Sequence, residues 1–222
     1  MGISQQIGAS SLIKAGVIEN TANRPASPFE GQVIFQKDTD QLLVWNGTAW
    51  VIPNSPAQNP TGLELVTAQT IGTAVSSVTV SNCFSSTYDN YFITMGNGGI
   101  VSSYGPFLRF SLAGVTTNLW YGAGYYMQNA TTITGFNNAG TAYGYAGVGE
   151  TGSYGFKIDI QSPFLTKQKD FMVQYVGGGT STYSGIYNSH CNSSASCASF
   201  TITPEYGTLT GGTITVYGYR KS

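Results

Sequence analysis

Charged residues are scarce in this sequence, which has only 9 Lys and Arg against 10 Asp and Glu in 222 residues. Nucleic-acid binding depends on clustered positive charge that neutralises phosphates, so we expect no nucleic-acid partner. Long apolar runs are also missing. Segments such as GQVIFQ and QLLVW fall far short of the roughly 20 apolar residues that a spanning helix needs, and we expect no membrane insertion.

Side chains that could form a metal or nucleophile site are few and scattered. The single histidine, His190, precedes Cys191, with Cys197 nearby and Cys83 distant in the sequence. A tetrahedral zinc site takes four ligands and usually a tight Cys-x-x-Cys pair, so we predict no metal and no cofactor. Neighbouring residues of a strand point to opposite faces, which disfavours a Cys–His nucleophile pair. A disulfide between Cys191 and Cys197 stays open.

Carboxylates are too dispersed to indicate catalysis. Glu150 and Asp159 would be a glycosidase pair only if the fold brought them to catalytic separation, which no sequence pattern indicates. Asp38 and Asp40 suit a polar turn better than a calcium site. We therefore predict a protein that is not an enzyme, without catalytic residues.

Glycine and tyrosine are abundant, with 29 Gly and 15 Tyr, and stretches with helical periodicity are nearly absent. This composition favours an all-β protein. From residue 62 on, short alternating segments recur at intervals of roughly 10 to 15 residues, which predicts an antiparallel, jelly-roll-like β-sandwich. Three of these segments predict inward-facing side chains at Leu108, Phe110, Leu112, Phe156, Ile158, Ile160, Phe171, Val173 and Tyr175.

Two of the three tryptophans flank the Asn46-Gly47 pair in TDQLLVWNGTAW, residues 39 to 50. An Asn-Gly pair favours a two-residue type I′ hairpin turn, which would set Trp45 opposite Thr48. Alternation then places Leu43, Trp45, Thr48 and Trp50 on one face and Leu42, Val44, Ala49 and Val51 on the other. A further strand at 32–36 completes a three-stranded β-meander. A sheet this small and apolar on both faces needs a partner surface.

Composition divides the chain into four parts. Residues 1–22 form an N-terminal docking arm, and residues 23–53 form the Trp-rich β-meander module. Residues 54–61 form a proline-rich linker, and residues 62–222 form the sandwich knob.

Two tyrosine-rich segments, NLWYGAGYYMQNATT and GTAYGYAGVGETGSYG, combine aromatic rings with small polar residues. Such mixtures make adaptable recognition surfaces and stack on sugar rings. The candidate ligand surface comprises Trp120, Tyr121, Tyr125, Tyr126, Tyr143 and Tyr145. Alternatively, these side chains alternate along strands and pack inside the sandwich or between protomers, which we favour.

The string RPASPFEGQVIFQKDTDQLLVWNGTAWV resembles a short module found near the start of many tailed-bacteriophage virion proteins, where it precedes a longer β-rich domain. FSSTYDNYFIT at 84–94 and the closing TITVYGYRKS resemble the distal domain of phage head-decoration and fibre proteins. Together the resemblances cover nearly the whole chain. They imply a trimeric virion component, bound to the capsid surface or carried on the tail.

The expected function is that of a capsid-attached decoration (cement) protein or head fibre, assembled in the host cytoplasm and exposed on the virion. Its partners would be two further copies of itself and the phage major capsid protein or other virion proteins. The expected docking and oligomer contacts are Ile7, Leu12, Ile13, Val17, Leu43, Trp45 and Trp50. The alternatives are a tail fibre, or its tip, that binds host surface glycan, and a glycan-degrading tailspike.

Overall fold

The computed structural model describes residues 16–53, 62–101, 105–117, 119–129, 132–179 and 181–221, with the backbone alone for 97–101. Within these ranges the protein is all-β apart from a short 3-10 helix at Thr21–Asn23. No helix of the described ranges is long and apolar enough to cross a membrane. The chain divides into two compact units, Met1–Pro60 and Thr61–Ser222.

The first unit contains a four-stranded sheet in the order β1-β2-β3-β4. Its strands are β1 (Gly16–Ile18), β2 (Val33–Gln36), β3 (Gln41–Trp45) and β4 (Trp50–Val51). The last three form the predicted meander, and β1 joins it in parallel beside β2. The sequence analysis placed 16–18 in the docking arm, because a three-residue strand is too short to show a periodic pattern.

The second unit is built from thirteen described strands. They are β5 (Leu63–Thr70), β6 (Val78–Val80), β7 (Asn90–Val101), β8 (Phe107–Leu112), β9 (Trp120–Gln128), β10 (Ile133–Thr141), β11 (Gly144–Val148), β12 (Ser153–Gln161), β13 (Lys169–Gly178), β14 (Thr182–Cys191), β15 (Phe200–Pro204), β16 (Leu209–Thr210) and β17 (Thr213–Tyr219).

These strands form two antiparallel sheets. The large sheet has nine strands, with β10-β9-β14-β13-β12-β7-β17-β5 in order and β16 paired to β7. The small sheet has the order β11-β8-β15-β6. Strand β8 of the small sheet and strand β13 of the large sheet contribute buried side chains to one core. The two sheets therefore face each other as a β-sandwich.

Aromatic side chains from both sheets fill the core between them. Phe110 of β8 stacks on Phe200 of β15 with ring centroids 4.8 Å apart and contacts Phe171 of the large sheet at 4.7 Å. The nine inward-facing positions predicted in β8, β12 and β13 are all buried, as the alternating pattern predicted.

Replacing Phe110 with Ala should destabilise the second unit by about 3 to 5 kcal/mol, because the cavity would lie where both sheets meet. Ser111→Ala is the matched control, since Ser111 is the next residue of the same strand and points to the opposite face. Urea unfolding followed by near-UV circular dichroism measures both. Equal midpoints for the two variants would contradict the central position of Phe110.

Candidate interaction surfaces

The turn between β3 and β4 differs from the predicted one. Trp45 pairs with Trp50, so four residues connect the strands instead of two. The Asn46 side chain explains this, because its Oδ1 accepts hydrogen bonds from the N–H groups of Thr48 at 2.9 Å and Ala49 at 2.7 Å. The side-chain amide thus organises a longer turn. The predicted type I′ turn was wrong.

Leu43, Trp45 and Trp50 nevertheless share a face, because the register moved by two residues. This tryptophan face is largely covered within the first unit. Leu43 is only 3% exposed, and the two indole rings are half-buried and pack edge to face at 5.6 Å. Leu43 therefore belongs to the core of the first unit and offers no surface to a partner.

Gln36 ties the segment before β2 onto the same side of the sheet. Its side chain is buried, accepts a hydrogen bond from Arg24 Nε at 2.9 Å and donates to Thr21 Oγ1 at 3.1 Å. It also donates to Asp38 Oδ1 at 2.7 Å. This network holds the segment around Thr21–Asn23 against the sheet edge.

The opposite side of this sheet, which we call the valine face, is the one left open. Cross-strand pairs place six apolar side chains there in two rows, Val17–Phe35–Leu42 and Val33–Val44–Val51. Val17 and Leu42 are 58% and 43% exposed, and the other four are half-buried, so no side chain of this face is buried. Val17 was a predicted contact residue. Leu42, Val44 and Val51 were predicted to share a face, whereas Val33 and Phe35 were not assigned to it, although the alternation in VIFQ indicates them.

The first tyrosine-rich segment forms β9, whose side chains alternate between the core and the outer face of the large sheet. Trp120 is completely buried and packs edge to face on Phe171 at 5.6 Å, so it belongs to the core, as in the favoured alternative, and not to the candidate ligand surface. Trp120 is buried because it is the first residue of β9 and that end of the strand lies inside the sandwich. Tyr121 and Tyr125 point outward and are 46% and 41% exposed, whereas Tyr126 points toward the core side.

The second tyrosine-rich segment contains β11 and Tyr143, the residue before it. Arg109 lies over the ring of Tyr143, 4.6 Å from its centroid, and pairs with Glu205 at 2.9 Å. Tyr143 contacts Tyr145, whose ring also packs on Phe107 at 4.8 Å. Burial raises the pKa of the Tyr145 phenol. These rings are half-buried and mutually packed at one end of the sandwich.

Lys169 in β13 is completely buried, and no carboxylate pairs with it within the described ranges. Its Nζ donates instead to four backbone carbonyls, those of Leu165 at 3.4 Å, Lys167 at 2.6 Å, Ser193 at 3.0 Å and Ala195 at 2.6 Å. An ammonium has three N–H donors, so the longest contact is the weakest. Burial lowers the pKa of this ammonium.

The lysine thereby fastens together the two loops that flank the start of β13 and the end of β14. Cys191 and Cys197 lie on the second of these loops or at its start, and both are buried free thiols. Burial raises the pKa of both thiols. The disulfide left open by the sequence is not formed.

His190 lies on the outer face of the large sheet, with Nδ1 2.8 Å from Asp170 Oδ1 and Nε2 3.2 Å from Gln168 Oε1. Glu150 and Asp159 do not form a pair, because Glu150 is buried before β12 while Asp159 accepts a hydrogen bond from Tyr219 near the far end of that strand. In the described part of the chain, no group of three or more His, Cys, Asp or Glu side chains could hold a metal ion.

Comparison with known proteins adds no relative to this picture. No protein-family model and no curated protein matches the chain. The surfaces that the geometry leaves open are the valine face of the first unit and the outer face of the large sheet.

Replacing Lys169 with Met should cost about 2 to 4 kcal/mol of unfolding free energy, because buried carbonyls would lose their donor. Lys167→Met is the control, since that side chain is exposed and its carbonyl remains in place, so a change within about 0.5 kcal/mol is expected. Urea unfolding measures both. Equal stability of the two variants would show that the carbonyls find water instead.

Proposed function

We propose that the chain is a non-enzymatic structural protein of a tailed-bacteriophage particle, a decoration protein or head fibre attached to the capsid. The first unit docks, and the second projects from the surface as a jelly-roll-like knob. The resemblance of GQVIFQKDTDQLLVWNGTAW to virion modules supports this, as do an all-β second unit and a separate small sheet before it.

The observation that carries the proposal is the valine face. Six apolar side chains without a charge among them line one side of a four-stranded sheet. A sheet of this size gains little stability alone, and an exposed apolar face of this kind marks an association surface. The first unit is thus suited to assembly.

In the proposed assembly three copies associate through their valine faces to form a homotrimer. This replaces the tryptophan face as the contact between copies, because Ile34, Gln36 and Leu43 are buried on that side of the sheet, whereas no side chain of the valine face is buried. The arm would insert in a groove of the major capsid protein. Its contact residues Ile7, Leu12 and Ile13 lie outside the described residues.

Attachment to the capsid is preferred over the tail on grounds of length. A fibre that reaches a receptor usually carries a long shaft, and only residues 54–61 connect the two parts of this chain. The second candidate function is glycan binding as a tail fibre or its tip. The exposure of Tyr121 and Tyr125 supports it, since outward tyrosines can stack on sugar rings. Tailspike activity has no such supporting observation.

Replacing both Val17 and Leu42 with Lys should abolish the trimer of 23.5 kDa chains in sedimentation equilibrium, because like charges would meet across each valine-face contact. Ala49→Lys and Thr48→Lys, in the exposed turn, are the controls and should remain trimeric. An unchanged mass for the Val17 and Leu42 variant would remove the valine face from the contact.

The site of attachment is tested by mixing the purified chain with particles that lack it and imaging them by electron microscopy. Density over the capsid shell is the expected result. Density on the tail with a bare shell would overturn capsid decoration and favour the glycan-binding alternative, which retention of the chain on host cells would then test.

A further inference from the structure

Apart from a bulge between Ala139 and Thr141, the β10 edge of the large sheet lacks the features that normally protect an edge strand. In the described part of the chain, β10 pairs with β9 alone, so every second residue directs its N–H and C=O groups away from the sheet. Its nine residues, ITGFNNAGT, include no charged residue and no proline. Natural edge strands usually carry one or both, because an open edge pairs with other strands.

The opposite edge of the same sheet provides a contrast. Strand β5 carries Glu64, which pairs at 3.0 Å with Arg220, the residue after the neighbouring strand β17. A charge held beside an edge disfavours the approach of another strand. The two edges of the sheet therefore differ in their capacity for strand addition, and β10 is the open one.

The outer face next to β10 carries several exposed apolar side chains. Ile133, 60% exposed, pairs directly with Met127, 39% exposed, and Tyr125 is the next outward residue of β9. Through Ser184 the row continues to Val176, which is 57% exposed. The outward side chains of β9, β10 and β14 include no Asp, Glu, Lys or Arg.

We propose that β10 pairs in antiparallel fashion with β10 of a second copy of the chain, joining two large sheets across a two-fold axis. A surface without charge can meet its own copy without repulsion, and a self-complementary patch is what a two-fold contact requires. Antiparallel pairing of two nine-residue strands would satisfy the outward N–H and C=O groups of both copies, and the outward side chains of β10 that meet there, such as Ile133 and Asn137, carry no charge.

This contact is separate from the one proposed for the first unit and does not rest on the proposed function. The variants that test it lie only in the second unit. A chain that remains trimeric through its valine face can therefore lose the β10 contact alone, and the reverse holds as well.

Hydrogen–deuterium exchange of the full chain, compared between dilute and concentrated samples, reads out the contact directly. The outward amides of 133–141 should exchange at least about tenfold more slowly in the concentrated sample, since pairing covers them. Exchange of these amides that does not depend on concentration would overturn the inference, whatever the state of the first unit.

The matched variants are Ile133→Lys with Asn137→Lys on β10, and Leu65→Lys with Ala68→Lys on β5. All four positions are exposed and point to the outer face, so each pair adds the same charge at an edge of the same sheet. The β10 pair should abolish the slow exchange and the larger species in sedimentation velocity, whereas the β5 pair should leave both unchanged. Equal effects of the two pairs would contradict pairing through β10.

Discussion

The second unit depends on one packing constraint, which is that the small sheet covers one face of the large sheet and leaves the other open. Phe110, Phe171 and Phe200 fill the space between the sheets, so the inner face is dry and densely aromatic. The outer face carries Lys157 and Gln174 at its centre and apolar side chains toward β9 and β10. The position of the small sheet thus determines which tyrosines are core and which are surface.

Alternation in the sequence predicts the fold well where strands carry aliphatic residues and poorly where they carry glycine. Strands β8, β12 and β13 were predicted with the correct inward faces, whereas no alternating segment indicated β10 or β11. Packing explains the glycines. A Cβ at Gly122 or Gly124 of β9 would collide with the neighbouring strand β14, so these glycines permit close approach within a sheet. From the sequence alone, a glycine that permits close packing within a sheet cannot be distinguished from a glycine that forms a turn.

In the first unit, the sequence predicted the strands and the shared face of Leu43, Trp45 and Trp50 but not which face is exposed. Exposure depended on two features that hairpin rules do not include. The Asn46 side chain accepts two backbone N–H groups and lengthens the turn, and Gln36 draws the segment near Thr21 against the sheet. Of the predicted contact residues, Val17 lies on the open face, while Leu43 is core.

The scarcity of charge, only 9% of residues, is not spread evenly over the surface. Arg109 with Glu205 and Arg220 with Glu64 lie away from the outer side chains of β9 and β10, whereas His190 with Asp170 lies beside Tyr121 of β9 and Lys37 with Glu19 follows the ends of β2 and β1. Soluble surfaces commonly carry about a quarter to a third charged residues, so uncharged areas of this size are suited to being covered. If the first unit joins three copies and the second joins two, the two symmetry axes together link trimers into a net or a closed shell. Such linkage would stabilise a covering layer more than separate trimers do, because each copy would then be held by contacts in both of its units.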